Sequence, residues 1–102
     1  MTDKLKLIIK DLKKYEPEKI ILFGSGARGE MDEYSDIDLV VIKETKKSFV
    51  ERLVEVVEFL SKDAPRADIF VYTPEEFEVM QEQENPFIEQ VLKDAKVVYE
   101  KS

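Results

Sequence analysis

Apolar positions recur at helical spacing through residues 3–15, where Leu5, Ile8, Ile9, Leu12 and Tyr15 share one side and Lys4, Lys6, Lys10, Lys13 and Lys14 fill the rest. That spacing predicts a first helix, capped by Thr2 or Asp3 and ended by Pro17, with its lysines as a solvated face. The pattern then changes to unbroken apolar runs, which predict strands over 19–23 and about 36–43. The connection between them is too short for a helical crossover, so these strands should be antiparallel if they are neighbours. Residues 46–61 return to helical spacing, with Phe49, Val50, Leu53, Val56, Val57 and Leu60 in one apolar stripe. Ser48-x-x-Glu51 resembles a capping box there, and Thr45 is an alternative cap. Lys62-Asp63-Ala64-Pro65 breaks this helix, and 67–72 reads as a third strand. A full helical crossover makes strands two and three parallel. Thr73-Pro74-Glu75-Glu76 is a strong helix start, carrying Phe77 and Met80 inward and fading near Glu84. Asn85-Pro86 starts another helix, with Phe87, Ile88, Val91 and Leu92 inward, and 96–99 reads as a closing edge strand.

Length and composition narrow what this arrangement can be. A chain of 102 residues is near the commonest domain size, so residues 1–102 are expected to form a single domain, with no room for a separate substrate-recognition unit. The net charge of −7 disfavours a broad nucleic-acid surface, which needs a basic face. There is neither cysteine nor histidine. Disulfides, zinc thiolate sites, cysteine nucleophiles and imidazole bases are therefore excluded, leaving carboxylates, hydroxyls, Lys, Arg and an external metal. No apolar run approaches the length of a membrane span, and the N-terminus lacks a signal-peptide core, so a cytoplasmic protein is expected.

The chemistry-bearing residues gather between the first two strands. Asp36 and Asp38 are two apart on a strand, so both point to one side while Ile37 and Leu39 point to the other. Two carboxylates on one face repel unless a cation lies between them, and Mg²⁺ takes such oxygen ligands together with substrate phosphates. A lone D-x-D is more often a solvated strand start; here the apolar flanks would place the pair in a cleft. Asp68 opens strand three as Asp36 opens strand two, so the two starts can lie side by side on parallel neighbours. Three carboxylates could then hold two metal ions for in-line phosphoryl or nucleotidyl transfer.

Gly24, Gly26 and Gly29 are the only glycines of the chain. They allow a backbone to approach a phosphate closely, and a short helical turn from Ser25 would add free N–H groups. Ser25 is either a phosphate donor or a plain helix cap. Arg28 is either a phosphate ligand or a surface ion-pair residue. Gly24-x-Gly26-x-x-Gly29 also matches the dinucleotide-binding fingerprint, but that motif opens a full helix. Only six residues part Gly29 from Asp36, and the fingerprint leaves Asp36 and Asp38 without a role.

Gly24-Ser25, ten residues, then Asp36-Ile37-Asp38 resembles the signature of the DNA polymerase beta superfamily of nucleotidyltransferases. The longer run from Gly24 through Val41 is similar to the small prokaryotic members, the minimal nucleotidyltransferases (MNT). The resemblance covers essentially the whole chain. It implies an α/β (α+β) nucleotidyltransferase fold: a mixed sheet of three to four strands, helices mainly on one face, in the order α-β-α-β-α-β-α-α-β. It implies that Gly24 and Ser25, with Arg28, bind the nucleotide, that Asp36 and Asp38 ligate Mg²⁺, and that Asp68 completes the metal site or acts as base. It further implies ATP as substrate, two Mg²⁺ ions, and AMP transfer to a tyrosine of a partner HEPN toxin, making this chain an antitoxin by AMPylation. The alternative is a non-catalytic antitoxin that neutralises its partner by occlusion. One position departs from the family: the residue after Ser25, often larger, is Gly26.

Overall fold

The computed structural model describes residues 3–24, 27 and 37–101. Eight elements follow in order: α1 (Asp3–Lys13), β1 (Lys19–Phe23), β2 (Ile37–Ile42), α2 (Phe49–Glu58), β3 (Ala67–Tyr72), α3 (Pro74–Glu82), α4 (Pro86–Asp94) and β4 (Lys96–Glu100). The helix starts follow local chemistry. Ser48 accepts from the Glu51 amide at 3.3 Å while Glu51 accepts from the Ser48 amide at 3.2 Å, which makes Ser48 rather than Thr45 the cap of α2. Thr73 and Glu76 form the same reciprocal pair at α3, and Asn85 accepts from the amides of Phe87 and Ile88 at α4. The short helical turn expected from Ser25, the Thr2 cap and the Asp36 strand start lie outside the described residues. Among the described residues no helix is long and apolar enough to cross a membrane.

The sheet order is β3-β2-β1-β4. β1 pairs antiparallel with β2 and β2 parallel with β3, in keeping with the connection lengths, and β1 also pairs antiparallel with β4. β4 closes one edge and β3 forms the other.

The helices do not lie mainly on one face; they divide two and two. Leu5, Ile8, Ile9 and Leu12 of α1 and Val56 of α2 pack against Ile20, Leu22, Ile37, Leu39, Val41 and Val71. On the opposite face Val91 of α4, with Phe77 of α3 and Phe87 of α4, covers Ile21, Val40 and Ile42. The cause lies in β2, whose apolar residues point both ways: a strand apolar on both faces needs a cover on each. Helical periodicity reports that a helix has an apolar side, not which sheet face receives it.

α2 departs from its expected packing. Of the stripe Phe49, Val50, Leu53, Val56, Val57 and Leu60, only Val56 is buried, and the buried polar residue beside it is Arg52, 5 % exposed. Its guanidinium donates to the Lys47 carbonyl (2.8 Å), to the Val71 carbonyl on β3 (3.2 Å), and to both carboxylate oxygens of Glu76 (2.6 and 3.1 Å). Glu76 in turn accepts from the Thr73 amide at 2.8 Å, so one arginine ties α2, the β3 edge and the α3 cap together. The Arg52 hydrogen bonds hold the Glu76 carboxyl below the usual glutamate range.

Replacing Arg52 by Met should lower stability by about 2 kcal/mol, because it orphans buried carbonyls and a partly buried carboxylate. The ion-pair share is discounted, since Glu76 keeps 44 % of its side chain exposed. A depressed carboxylate pKa contributes stability that is complete above the unfolded value and is lost as pH falls through the folded value. Urea unfolding at pH 7 and across pH 5 to 3 should therefore show a smaller acid loss in Arg52→Met than in the parent. An identical acid slope in both proteins would refute the assignment.

Candidate active site

The carboxylates lie at the end of the sheet where β2 and β3 begin. Asp38 is the second residue of β2 and Asp68 the second of β3, and the two are direct partners in the parallel ladder. On its other side Asp38 is paired with Phe23 of β1. Partners in a ladder point to the same face, so Phe23, Asp38 and Asp68 form one row. Asp38 is half-buried within it; Asp68, on the outer strand, is exposed.

This register corrects the expectation that the strand starts, Asp36 and Asp68, lie side by side. The Ile37 amide donates to the Arg66 carbonyl at 3.2 Å, and β2 and β3 then run in step from Ile37/Ala67 to Ile42/Tyr72. Ile37, Leu39 and Val41 thereby join Ala67, Ile69 and Val71 on the face covered by α1 and α2. A slip of one residue would turn that apolar set outward, so the core fixes which carboxylate meets which. Asp36 itself lies outside the described residues, as do Ser25 and Arg28.

Gly24 ends β1 with φ +72°, a conformation glycine adopts without penalty. Its carbonyl accepts from the Ala27 amide at 3.2 Å, which turns the chain sharply after the strand. A Cβ at this position would lie 2.6 Å from the Asp38 carboxylate oxygen Oδ2. Gly24, where the turn begins, therefore lies directly against the Asp38 carboxylate.

Among the described residues no three carboxylates assemble into a cluster; the structure brings together Asp38, Asp68 and Gly24. Two hard oxygen donors on one face fit a divalent cation such as Mg²⁺. An aromatic wall adjoins the row. Phe70, two residues beyond Asp68 on the same face, lies 5.0 Å from Phe87 and 6.3 Å from Phe23, ring centre to ring centre. Phe87 carries the spacing of an inward helix residue, which does not by itself tie it to the site; the alternation of Asp68 with Phe70 along β3 supplies that link.

The architecture matches solved structures along nearly its whole length. A provisionally assigned nucleotidyltransferase from Sulfolobus solfataricus superposes with a TM-score of 0.56 at 19% identity, covering 99% of this chain and 90% of that one. A toxin–antitoxin structure containing AMP-PNP superposes with a TM-score of 0.52 at 21% identity, covering 99% and 76%. The fold is that of the nucleotidyltransferases. The polymerase beta nucleotidyltransferase family model matches residues 6–102, and the chain belongs to that family. A relative from Methanocaldococcus jannaschii, provisionally named a protein adenylyltransferase, is 45% identical over 60 residues. That match spans 58% of this chain and 58% of the relative.

Proposed function

We propose that this chain transfers AMP from ATP to a hydroxyl of a partner protein, in a Mg²⁺-dependent reaction. The observation that carries the reading is the row itself: Asp38 and Asp68 in register on one face, with Gly24 against Asp38, in a chain of the polymerase beta nucleotidyltransferase family. The name of the Methanocaldococcus jannaschii relative and the nucleotide analogue in the toxin–antitoxin structure support AMP transfer and a protein acceptor. The charge of −7 speaks against a nucleic-acid acceptor.

In this reading Asp38 and Asp68, with Asp36, hold Mg²⁺, which when bound offsets phosphate charge and aligns the α-phosphate. The Gly24 turn, with Ser25 and Arg28, receives the triphosphate. Asp68 is exposed on the outer strand, where an incoming hydroxyl reaches it, and its carboxylate takes the hydroxyl proton. The acceptor oxygen bonds to the α-phosphorus as the bond from that phosphorus to the bridging oxygen breaks, and pyrophosphate leaves. The partner is a HEPN-domain toxin, and the acceptor one of its tyrosines.

Intact-mass measurement of the adjacent gene's product after incubation with this protein, ATP and Mg²⁺ tests the reading. A gain of one or more AMP units is expected. Neutralisation of that product with no added mass would replace transfer by occlusion.

A further inference from the structure

The outward side of α2 is apolar where a helix of a small acidic protein should be polar. Val50, Val54 and Val57 stand 68, 61 and 60 % exposed at i, i+4 and i+7, one continuous stripe. Scattered exposed valines need no explanation, but a stripe at helical spacing is the form of an unpartnered helix face. It continues onto Phe49, 38 % exposed, which borders a 380 Å³ groove walled by Tyr72, Val79 and Met80.

We propose that this stripe and groove dock a partner protein through an apolar helical segment flanked by lysine or arginine. The charge of the rim selects that chemistry. Glu51, Glu55 and Glu58 line one flank of the stripe together with Lys47, which pairs with Glu55, and Glu75 stands at the groove, so carboxylates outnumber the cation. The cation within α2, Arg52, is buried and bound to Glu76, so the helix carries no exposed positive charge of its own. Two copies of this chain apposed here would bring Glu51, Glu58 and Glu75 of each against those of the other, with Lys47 already paired to Glu55, which disfavours a second copy. Anionic lipid and nucleic acid are repelled for the same reason. A basic amphipathic segment satisfies both the valines and the carboxylates.

Topology gives the surface a second meaning. α2 returns the chain from the end of β2 to the start of β3, a span of roughly 15 Å. A segment laid along it therefore runs toward the sheet end where β2 and β3 begin, on the face opposite the Asp38–Asp68 row, and a guest reaches the row around that end. The inference deepens the reading above, in which a protein carries the acceptor hydroxyl, and rests on it for the guest's identity.

The test measures binding alone, so its failure is distinct from a failure of AMP transfer. A fluorescein-labelled amphipathic helix of leucine and lysine is titrated by anisotropy against the parent and the Val54→Glu/Val57→Glu variant. A leucine–glutamate helix serves as counter-probe. Both substituted positions are exposed, so the variant should fold, which its circular dichroism checks. The parent should bind the basic helix at least about ten-fold more tightly than the variant does. Purely Coulombic attraction would instead strengthen with the two added carboxylates. Equal or tighter binding by the variant, equal binding of the leucine–glutamate helix, or a parent dimer in sedimentation that the variant abolishes would each overturn the proposal.

Discussion

An Asp38→Asn variant is expected to lose AMP transfer by on the order of 10²–10³-fold while unfolding within about 0.5 kcal/mol of the parent. Asparagine keeps the shape of the side chain and removes its charge, so the row of Phe23, Asp38 and Asp68 stays packed. What disappears is the central anionic oxygen, the donor between the glycine turn and Asp68. Stability should hold because two carboxylates paired on adjacent strands repel, and neutralising one relieves that repulsion. Chelation of divalent ions by EDTA should inactivate the parent to a similar extent and take little more from the variant, since both remove one functional unit. Initial rates from acceptor mass and a urea melt suffice as measurements. Transfer at the parental rate in Asp38→Asn would remove Asp38 from the site.

The parts of this molecule legible from the chain are those whose signal is local. Ser48, Thr73 and Asn85 cap the helices that begin after them, because a cap needs only a side-chain oxygen within three residues of a free amide. β2 and β3 are parallel because the residues between them are enough for a crossover helix. The parts that escaped depend on partners distant in sequence. Arg52 interrupts a helix that reads as uniformly amphipathic, and its burial follows from the Val71 carbonyl at the sheet edge and Glu76 on another helix. Val50 and Val57 belong to the apolar stripe yet remain exposed, because α2 rests on the sheet through Arg52, Val56 and the half-buried Phe59. The same distinction runs through the site. Spacing singled out Asp38, Asp68 and Gly24, whereas the pairing of Asp68 with Asp38 is set by apolar residues on the opposite face. The chemistry is therefore written in the motif, and its geometry in the core beneath it.

Gly24→Ala should damage both stability and transfer, and the two costs can be separated. An alanine at φ +72° costs about 1–2 kcal/mol from its backbone conformation alone. The added methyl would also sit 2.6 Å from Asp38 Oδ2, closer than such atoms tolerate, and displacing a packed side chain adds about 1–3 kcal/mol. The carboxylate that must move is the one placed at the centre of the site, so transfer should fall by on the order of 10²-fold as its geometry is lost. Introducing Gly24→Ala into an Asp38→Ala background distinguishes the contributions. With the carboxylate removed, the one left of the three nearest contacts is Asp38 Cβ at 3.7 Å, ordinary van der Waals spacing, and the destabilisation should shrink to the conformational cost. Equal destabilisation in both backgrounds would show that Gly24 and Asp38 do not meet in solution. The turn and the carboxylate row would then be separate features, and the phosphate-and-metal site built on their contact would fall with that result.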